Sequence, residues 1–270
     1  MFADDVLLYH SISCSDDYLD AQQSITAIEQ WSSDNYLQLN SLKCKSMIIS
    51  RKKTPTTPHH ALVLNNGTLE QVESYKYLGL LLTADLSWSS HISSICLKAR
   101  KVLGLLYRRF YGNVSQDVLK QLYLSLVRPH LEYGCHVWNP HLEKDKKALE
   151  DVQKFACRIA TAHWDESYDT LLELLHLQPL QERRTHARLG LMYRILYKLS
   201  YFPAETFKLR NLTQPNRCSH QLELQVPFAR TNSYFYSFVP HTSSLWNSLP
   251  KDIINLSTSY HSFKYHLRSQ

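Results

Sequence analysis

The hydrophobic period of this chain changes at Trp88, and that change constrains its fold more than any single motif. From there apolar residues recur at Trp88, Ile92, Ile95, Ala99, Leu103, Leu106 and Phe110, the spacing of one helix stripe. Before it, short β-prone runs alternate with turn residues: Val6 to Tyr9, Lys45 to Ser50, Leu62 to Leu64, Leu69 to Val72 and Tyr75 to Thr83. Asn65-Asn66-Gly67 between two of these runs is a hairpin signal. One amphipathic helix interrupts them, started by Asp16 or Asp17, carrying Tyr18, Ala21, Ile25, Ile28 and Trp31, and ending near Asn40.

Beyond Trp88 the pattern is helical. Ser115 is placed to cap a helix with Asp117 in its first turn, burying Val118, Leu122 and Leu126 until Pro129 stops it. Leu149, Val152, Phe155 and Ile159 mark another. Leu171 to Leu175, and Leu180, Ala187, Leu191, Ile195 and Leu199, mark two more, divided at Pro179 because proline cannot donate to the helix ladder. The periodicity fades past Tyr201 into a loop through Thr213 to Asn216, yet Trp246, Leu249, Ile253 and Phe263 predict an ordered end. The expected class is α+β: a partial antiparallel sheet over 1–85, a helical region over 86–165, and a helical and irregular tail over 166–270.

With 270 residues, 44% of them hydrophobic, the chain can bury a sizeable core. Six Gly against seventeen Tyr exclude a Gly-rich nucleotide-binding scaffold. A net charge of +6 suits contact with phosphates without requiring it. Cys14, Cys44, Cys96, Cys135, Cys157 and Cys218 are scattered singly with no C-x-x-C pair or secretory leader, so they read as reduced thiols of the cell interior. Cys135, His136 and His141 lack a fourth ligand and read as packing plus a polar loop. Leu78 to Leu82 falls short of the roughly 20 residues of a membrane span, so no membrane partner is expected.

The residues that point to chemistry are Asp4 and Asp5, between Phe2-Ala3 and Val6. Two carboxylates at a tight strand-turn-strand junction repel each other until cations relieve them, the arrangement of a two-metal phosphoryl-transfer site. Alone, such a pair is usually a solvated turn. Its company is more specific: Leu39 to Ser46 followed by Met47-Ile48-Ile49, then Tyr77-Leu78-Gly79, then LVRPHLEYGCHVWNP, LQPLQERRTHARLGLMYRIL and SFVPHTSSLWNSLPKDI in order. Over nearly its whole length the chain resembles the C-terminal half of reverse transcriptases of non-LTR (LINE-like) retrotransposons.

That resemblance implies RNA-directed DNA synthesis by nucleotidyl transfer, on a palm remnant (1–85, motifs C, D and E), a thumb (86–165) and a tail. It implies Mg²⁺ held by Asp4 and Asp5, and Lys43 near the triphosphate of an incoming deoxynucleoside triphosphate, with Lys45 as the competing candidate. Tyr77, Leu78 and Gly79, in a strand, would be the primer grip; RNA template and DNA primer would be the partners, and nuclear access the setting. The family's third metal-binding aspartate and its fingers precede these motifs and are not in this sequence. The chain is therefore expected to be a fragment that binds Mg²⁺ weakly and is inactive alone. A non-catalytic helical module binding nucleic acid or protein, and a functionless remnant of a decayed element, remain the competing readings.

Lys98, Lys101, Arg108 and Arg109 lie off the apolar stripe and could track a duplex backbone; a solvated helix face explains them equally well. Arg183, Arg184, Arg188, Arg194 and Lys198 form a second row with the same two readings. Tyr107, Tyr111, Tyr123 and Tyr133 are assigned to packing rather than to stacking on bases. His59, His60 and His241 receive no role.

Overall fold

The computed structural model describes residues 5–50, 61–210, 222–255 and 259–268. The chain divides after Ser87 into two units, at the point where the hydrophobic period changes.

In the first unit, α1 (Asp17–Asp34) buries Tyr18, Ala21 and Ile25 as its pattern requires, while Trp31 is 45% exposed. Asp17 anchors its start, because its carboxylate accepts the amides of Cys14 and Ser13, and those bonds hold its pKa below the ordinary value. The helix stops at Asp34, short of Asn40: Tyr36 turns left-handed at φ 56°, and the Leu37 amide reaches back to the Ser32 carbonyl at 2.9 Å.

The strands are β1 (Lys45–Ser46), β2 (Val63–Leu64), β3 (Gly67–Thr68), β4 (Glu70–Gln71), β5 (Ser74–Tyr77) and β6 (Leu80–Thr83). β2 and β3 pair antiparallel around Asn65 and Asn66, at φ 50° and 60°, the positive values that a two-residue I′ hairpin turn demands. β5 and β6 do the same around Leu78 (φ 44°) and Gly79 (φ 83°). The expected antiparallel sheet is only partly found. Gly67 and Thr68 already close the Asn hairpin, which leaves Glu70 and Gln71 to lie parallel to Lys45 and Ser46, so the described strands form three separate pairs, one of them parallel.

Two expected strands shrink. Of Lys45 to Ser50 only the first two residues pair as a strand. Asp5 makes an isolated bridge, and Val6, Leu7, Leu8 and Tyr9 after it are exposed and outside any strand. The other arm of that hairpin falls on residues 1–4, outside the described residues, as do the Arg51 to Pro58 loop, His59, His60, Thr213 to Asn216 and Cys218.

The second unit is helical: α2 (Ser89–Phe110), α3 (Gln116–Leu122), a π-helical turn (Tyr123–Val127), α4 (Arg128–Glu132), α5 (Cys135–Trp138), α6 (Glu143–Thr161), α7 (Tyr168–Leu175), α8 (Leu180–Leu196), α9 (Asn232–Phe235), α10 (Phe238–Asn247), α11 (Lys251–Asn255) and α12 (Tyr260–Arg268). α2 buries Ile92, Ile95, Ala99, Leu103 and Leu106 and packs on α4 and α6. α6 and α7, on either side of residue 165, pack together.

The face buried after residue 115 differs from the expected one. Leu119, Tyr123, Val127 and Leu131 are enclosed, whereas Val118 and Leu126 are 44% and 47% exposed. Pro129 does not stop the helix. The π turn ahead of it widens the backbone where proline would otherwise lose a hydrogen bond and clash with the preceding turn, so the chain stays helical through Glu132. In α6, Leu149, Val152 and Ile159 are buried as expected, but Ala156 takes the inward place assigned to Phe155, which is 38% exposed.

α7 ends at His176 (φ 47°), and α8 starts immediately after Pro179, as the proline predicts. A core formed by α8, α10, α11 and α12 encloses Met192, Ile195, Trp246, Leu249, Ile253 and Phe263, so the tail is ordered around the four residues that predicted it. Leu209 bridges Leu224, and the Asn247 amide brackets Leu224, donating to its carbonyl at 2.7 Å and accepting its N–H at 2.8 Å.

Candidate nucleic-acid interface

The most coherent charged surface lies on α2. At about 100° per residue, Lys98, Lys101, Arg108 and Arg109 fall within about 100° of one another, an arc that borders the buried face at His91 and also holds the exposed Leu105. All four are exposed, and none belongs to an ion pair among the described residues. Arg100, which inspection of the sequence missed, is exposed too and widens this face by about 80°. The helix carries no carboxylate in its 22 residues. Such a face gathers positive charge without an internal partner, and a row of phosphates is the ligand that it suits.

Gly104 lies on the same side, one turn from both Arg100 and Arg108. A Cβ added there would meet nothing within 4 Å, so packing does not demand glycine. In a helix interior glycine costs roughly 0.5–1 kcal/mol relative to alanine. What it leaves is a bare stretch of backbone between two arginines.

The second basic row is split: Arg194 and Lys198 are exposed, while Arg183, Arg184 and Arg188 are engaged in packing. Arg184 and Arg188 are buried, with 1% and 0% of their surface exposed. The Arg188 guanidinium donates to Thr242 Oγ1 at 3.0 Å and to the Ser237 carbonyl at 2.8 Å, and its Cζ lies 5.4 Å from the Phe238 ring centroid. Burial pushes its pKa down to about 10. Arg184 has Glu150 at 3.7 Å as its ion-pair partner, and Arg183 makes a bidentate pair with Glu132. These side chains hold helices together and are not free for phosphate.

The residues singled out for catalysis are separated in kind. Asp4 lies outside the described residues; Asp5 is exposed. Lys43 sits in a turn before β1, exposed, its backbone N–H bonded to Asn40 and its carbonyl accepting from Tyr75 at 3.4 Å. Lys45 is ion-paired to Glu70 at 2.5 Å. Because β1 begins only at Lys45, the two lysines do not share a strand face. Tyr77 ends β5, but Leu78 and Gly79 form the hairpin turn, not strand as expected. Non-glycine residues at positive φ are uncommon, which makes Leu78 a constrained position at the tip of this hairpin.

Mg²⁺ does not fit the described residues by themselves. They contain no group of three His, Cys, Asp or Glu side chains able to hold a metal. Cys135 is buried and its thiol is pushed up to about 11; the His136 ring meets the Ala187 carbonyl at 3.2 Å; His141 stacks on Tyr236 at 5.0 Å. None of the described helices is long and apolar enough to cross a membrane.

No family model matches the chain, and no solved structure matches it significantly. Curated proteins do. It is 24% identical over 163 residues to the probable RNA-directed DNA polymerase from transposon X-element of Drosophila melanogaster, covering 59% of this chain and 18% of that protein. It is 27% identical over 148 residues to the RNA-directed DNA polymerase from mobile element jockey of the same fly, covering 53% and 16%. The jockey polymerase of Drosophila funebris is 26% identical over 169 residues, covering 60% and 18%. This chain is related to the reverse transcriptases of non-LTR retrotransposons. It spans less than a fifth of the length of these relatives.

The three late segments that resemble such reverse transcriptases meet in space around α8. Glu132, from the first, pairs with Arg183 in the second; His136, from the first, meets Ala187 in the second; Arg188 ties the second to Ser237 and Thr242 in the third. Leu131, Trp138, Leu180 and Trp246, drawn from all three, are fully buried. In this chain those three segments build a core, and α2 precedes them in sequence.

Proposed function

We propose that this chain is the part of a retrotransposon RNA-directed DNA polymerase that follows its catalytic aspartate motif and holds the copied strands. Residues 1–85 are the closing part of the palm, with Asp4 and Asp5 as the aspartate pair, Lys43 beside the triphosphate and Tyr77-Leu78-Gly79 at the primer end. Residues 86–165 are a thumb, and 166–270 a tail that braces it. The observation that carries this reading is the similarity to the X-element and jockey polymerases over more than half of the chain. Two features support it: the element order, short strand pairs and then helices, and the carboxylate-free basic face of α2.

On this reading α2 lies along a primer–template duplex, with Lys98, Lys101, Arg108 and Arg109 on its phosphates. Two aspartates alone are too few fixed oxygens for an ion that demands near-octahedral geometry, so the chain by itself binds strands without extending them. The test is binding of a primer–template by the full chain across a salt series. Lys98→Glu with Lys101→Glu should flatten the slope of log affinity against log salt by about two, one for each lost phosphate contact. An unchanged slope would remove α2 from the interface. Primer extension by the purified chain, abolished by Asp5→Asn, would overturn the expected inactivity.

A further inference from the structure

Beside the basic face of α2 stands an aromatic cluster that helix packing leaves unfinished. Tyr107 and Tyr111 lie 4.6 Å apart, and both meet Trp164 at 6.3 Å in edge-on or near edge-on contact. Trp164 donates its indole N–H to the Tyr111 hydroxyl at 3.3 Å and meets Phe155 at 6.2 Å. The rings orient one another, yet 37% of Tyr107, 38% of Phe155 and 37% of Trp164 remain exposed. A core aromatic is enclosed, as Trp138 and Trp246 are in this unit. These are held in place and left open.

We propose that Tyr107, Tyr111, Phe155 and Trp164 form a stacking seat for unpaired bases of a single nucleic-acid strand, entered across the bare backbone of Gly104. The inference rests on the reading of α2 as a nucleic-acid-facing helix and extends it from phosphates to bases.

Three observations favour this occupant over an apolar protein partner. The cluster borders a helix with five basic side chains and no carboxylate, so a polyanion is drawn to its edge. Gly104, which precedes Tyr107 by three residues and Arg108 by four, removes the side chain that would hold a strand away, although nothing in the packing asks for a glycine there. Asp165 and Glu166 are exposed directly after Trp164. Carboxylates beside Trp164 repel phosphate while Arg100 and Arg108 attract it, so the sugar-phosphate chain favours α2 and the rings are left to the bases. Aromatic rings fixed by their neighbours lose little freedom when a base stacks on them, and every base offers a π face, so the seat is indifferent to sequence.

The test uses the full chain, a short single-stranded oligonucleotide and a blunt duplex without unpaired ends. Stacking on Trp164 quenches its emission, and among five tryptophans the Trp164→Phe difference identifies that signal. The oligonucleotide should quench the wild type, with most of the quench lost in Trp164→Phe while affinity is kept, because phenylalanine still stacks. Trp164→Leu and Tyr107→Leu should each weaken single-strand binding about tenfold and leave duplex binding within about twofold. A quench that persists in Trp164→Phe, or one absent from a wild type that binds the strand, overturns the seat, as does equal loss for single strand and duplex in the leucine variants. If those variants bind both probes like the wild type and binding stays salt-dependent, the seat falls while the α2 interface stands. If the wild type binds neither probe, both fall.

Discussion

Before Ser87, strands of two to four residues are joined in pairs, and among the described strand residues only Leu64 is buried. After it, Trp138, Trp246, Phe263 and even the guanidinium of Arg188 are enclosed completely. Isolated strand pairs are marginal in water, whereas helices with interlocking apolar faces sustain themselves. The candidate chemical residues Asp5, Lys43 and Tyr77 to Gly79 thus sit on the less buried unit. The longest segments that resemble reverse transcriptases, LVRPHLEYGCHVWNP, LQPLQERRTHARLGLMYRIL and SFVPHTSSLWNSLPKDI, sit on the other. A recognisable stretch can be one that packs, while the candidate chemical residues lie on short segments that are exposed or half-buried.

The sharpest way to break this contrast is Trp246→Ala. It empties a fully buried indole site and leaves the Leu222 carbonyl without its 2.9 Å partner, so a loss of about 3–5 kcal/mol is expected. Hydrogen exchange should show faster opening of α8 and α12 with β5 and β6 amides unaffected; equal acceleration in β5 and β6 would mean that the two units unfold as one. Arg188→Ala comes next, at about 3 kcal/mol, because the Ser237 carbonyl and Thr242 hydroxyl lose a buried charged donor. A denaturant midpoint like that of the wild type would make this arginine dispensable to the helical core.

A pH experiment sharpens the same contrast. Burial, with Arg188 and then Lys146, pushes the His241 pKa down to about 4, and burial also lowers His136 and His186. In the unfolded chain these rings titrate near their ordinary value of about 6.5. The unfolded state therefore binds more protons in the interval between, so this contribution is complete above about pH 6.5 and is lost as pH falls toward 4. The urea midpoint of the helical unit should drop between pH 7 and pH 5, and His241→Asn should reduce that drop. An equal drop in wild type and variant would show that His241 does not set it. The smallest effect is expected in the first unit. Asn66→Gly suits the φ of 60° at that turn and should stabilise the β2–β3 hairpin by roughly 0.5 kcal/mol; a loss would show that the Asn66 side chain supports the turn.

Periodicity was enough to place α2 and α6, and Pro179 the break between α7 and α8, because a helix that buries one face must repeat it. For α8 it found the helix but not its full face, since Leu199 lies past the last turn at 53% exposure and Arg184, Arg188, Leu189 and Met192 turn inward. Asn65-Asn66 revealed its turn because few residue types accept two consecutive positive φ values. What stayed hidden depends on distant partners. Arginine normally seeks water, and nothing near Arg188 in the sequence announces Thr242 and Ser237, 54 and 49 residues away. The same distance hides Trp164 from Tyr107, so rings that look like ordinary packing in one helix become a shared, half-open cluster only when α6 has delivered its following loop. Among the candidate residues, the exposure of Lys98, Lys101, Arg108 and Arg109 off the apolar stripe was legible; Gly104 could have been noticed as a lone glycine in a long helical pattern with no turn to explain it.

The widened turn at Tyr123–Val127 also bears on how this chain should be compared with others. A π turn spends one more residue than an α turn to cover similar ground, so it behaves as an inserted residue absorbed within a helix instead of expelled as a loop. A relative with an unbroken α-helix here would align on both sides only with a one-residue gap placed inside the helix. An alignment that forbids gaps in helices would pair Leu126 with a core position and mistake an outward leucine for an inward one.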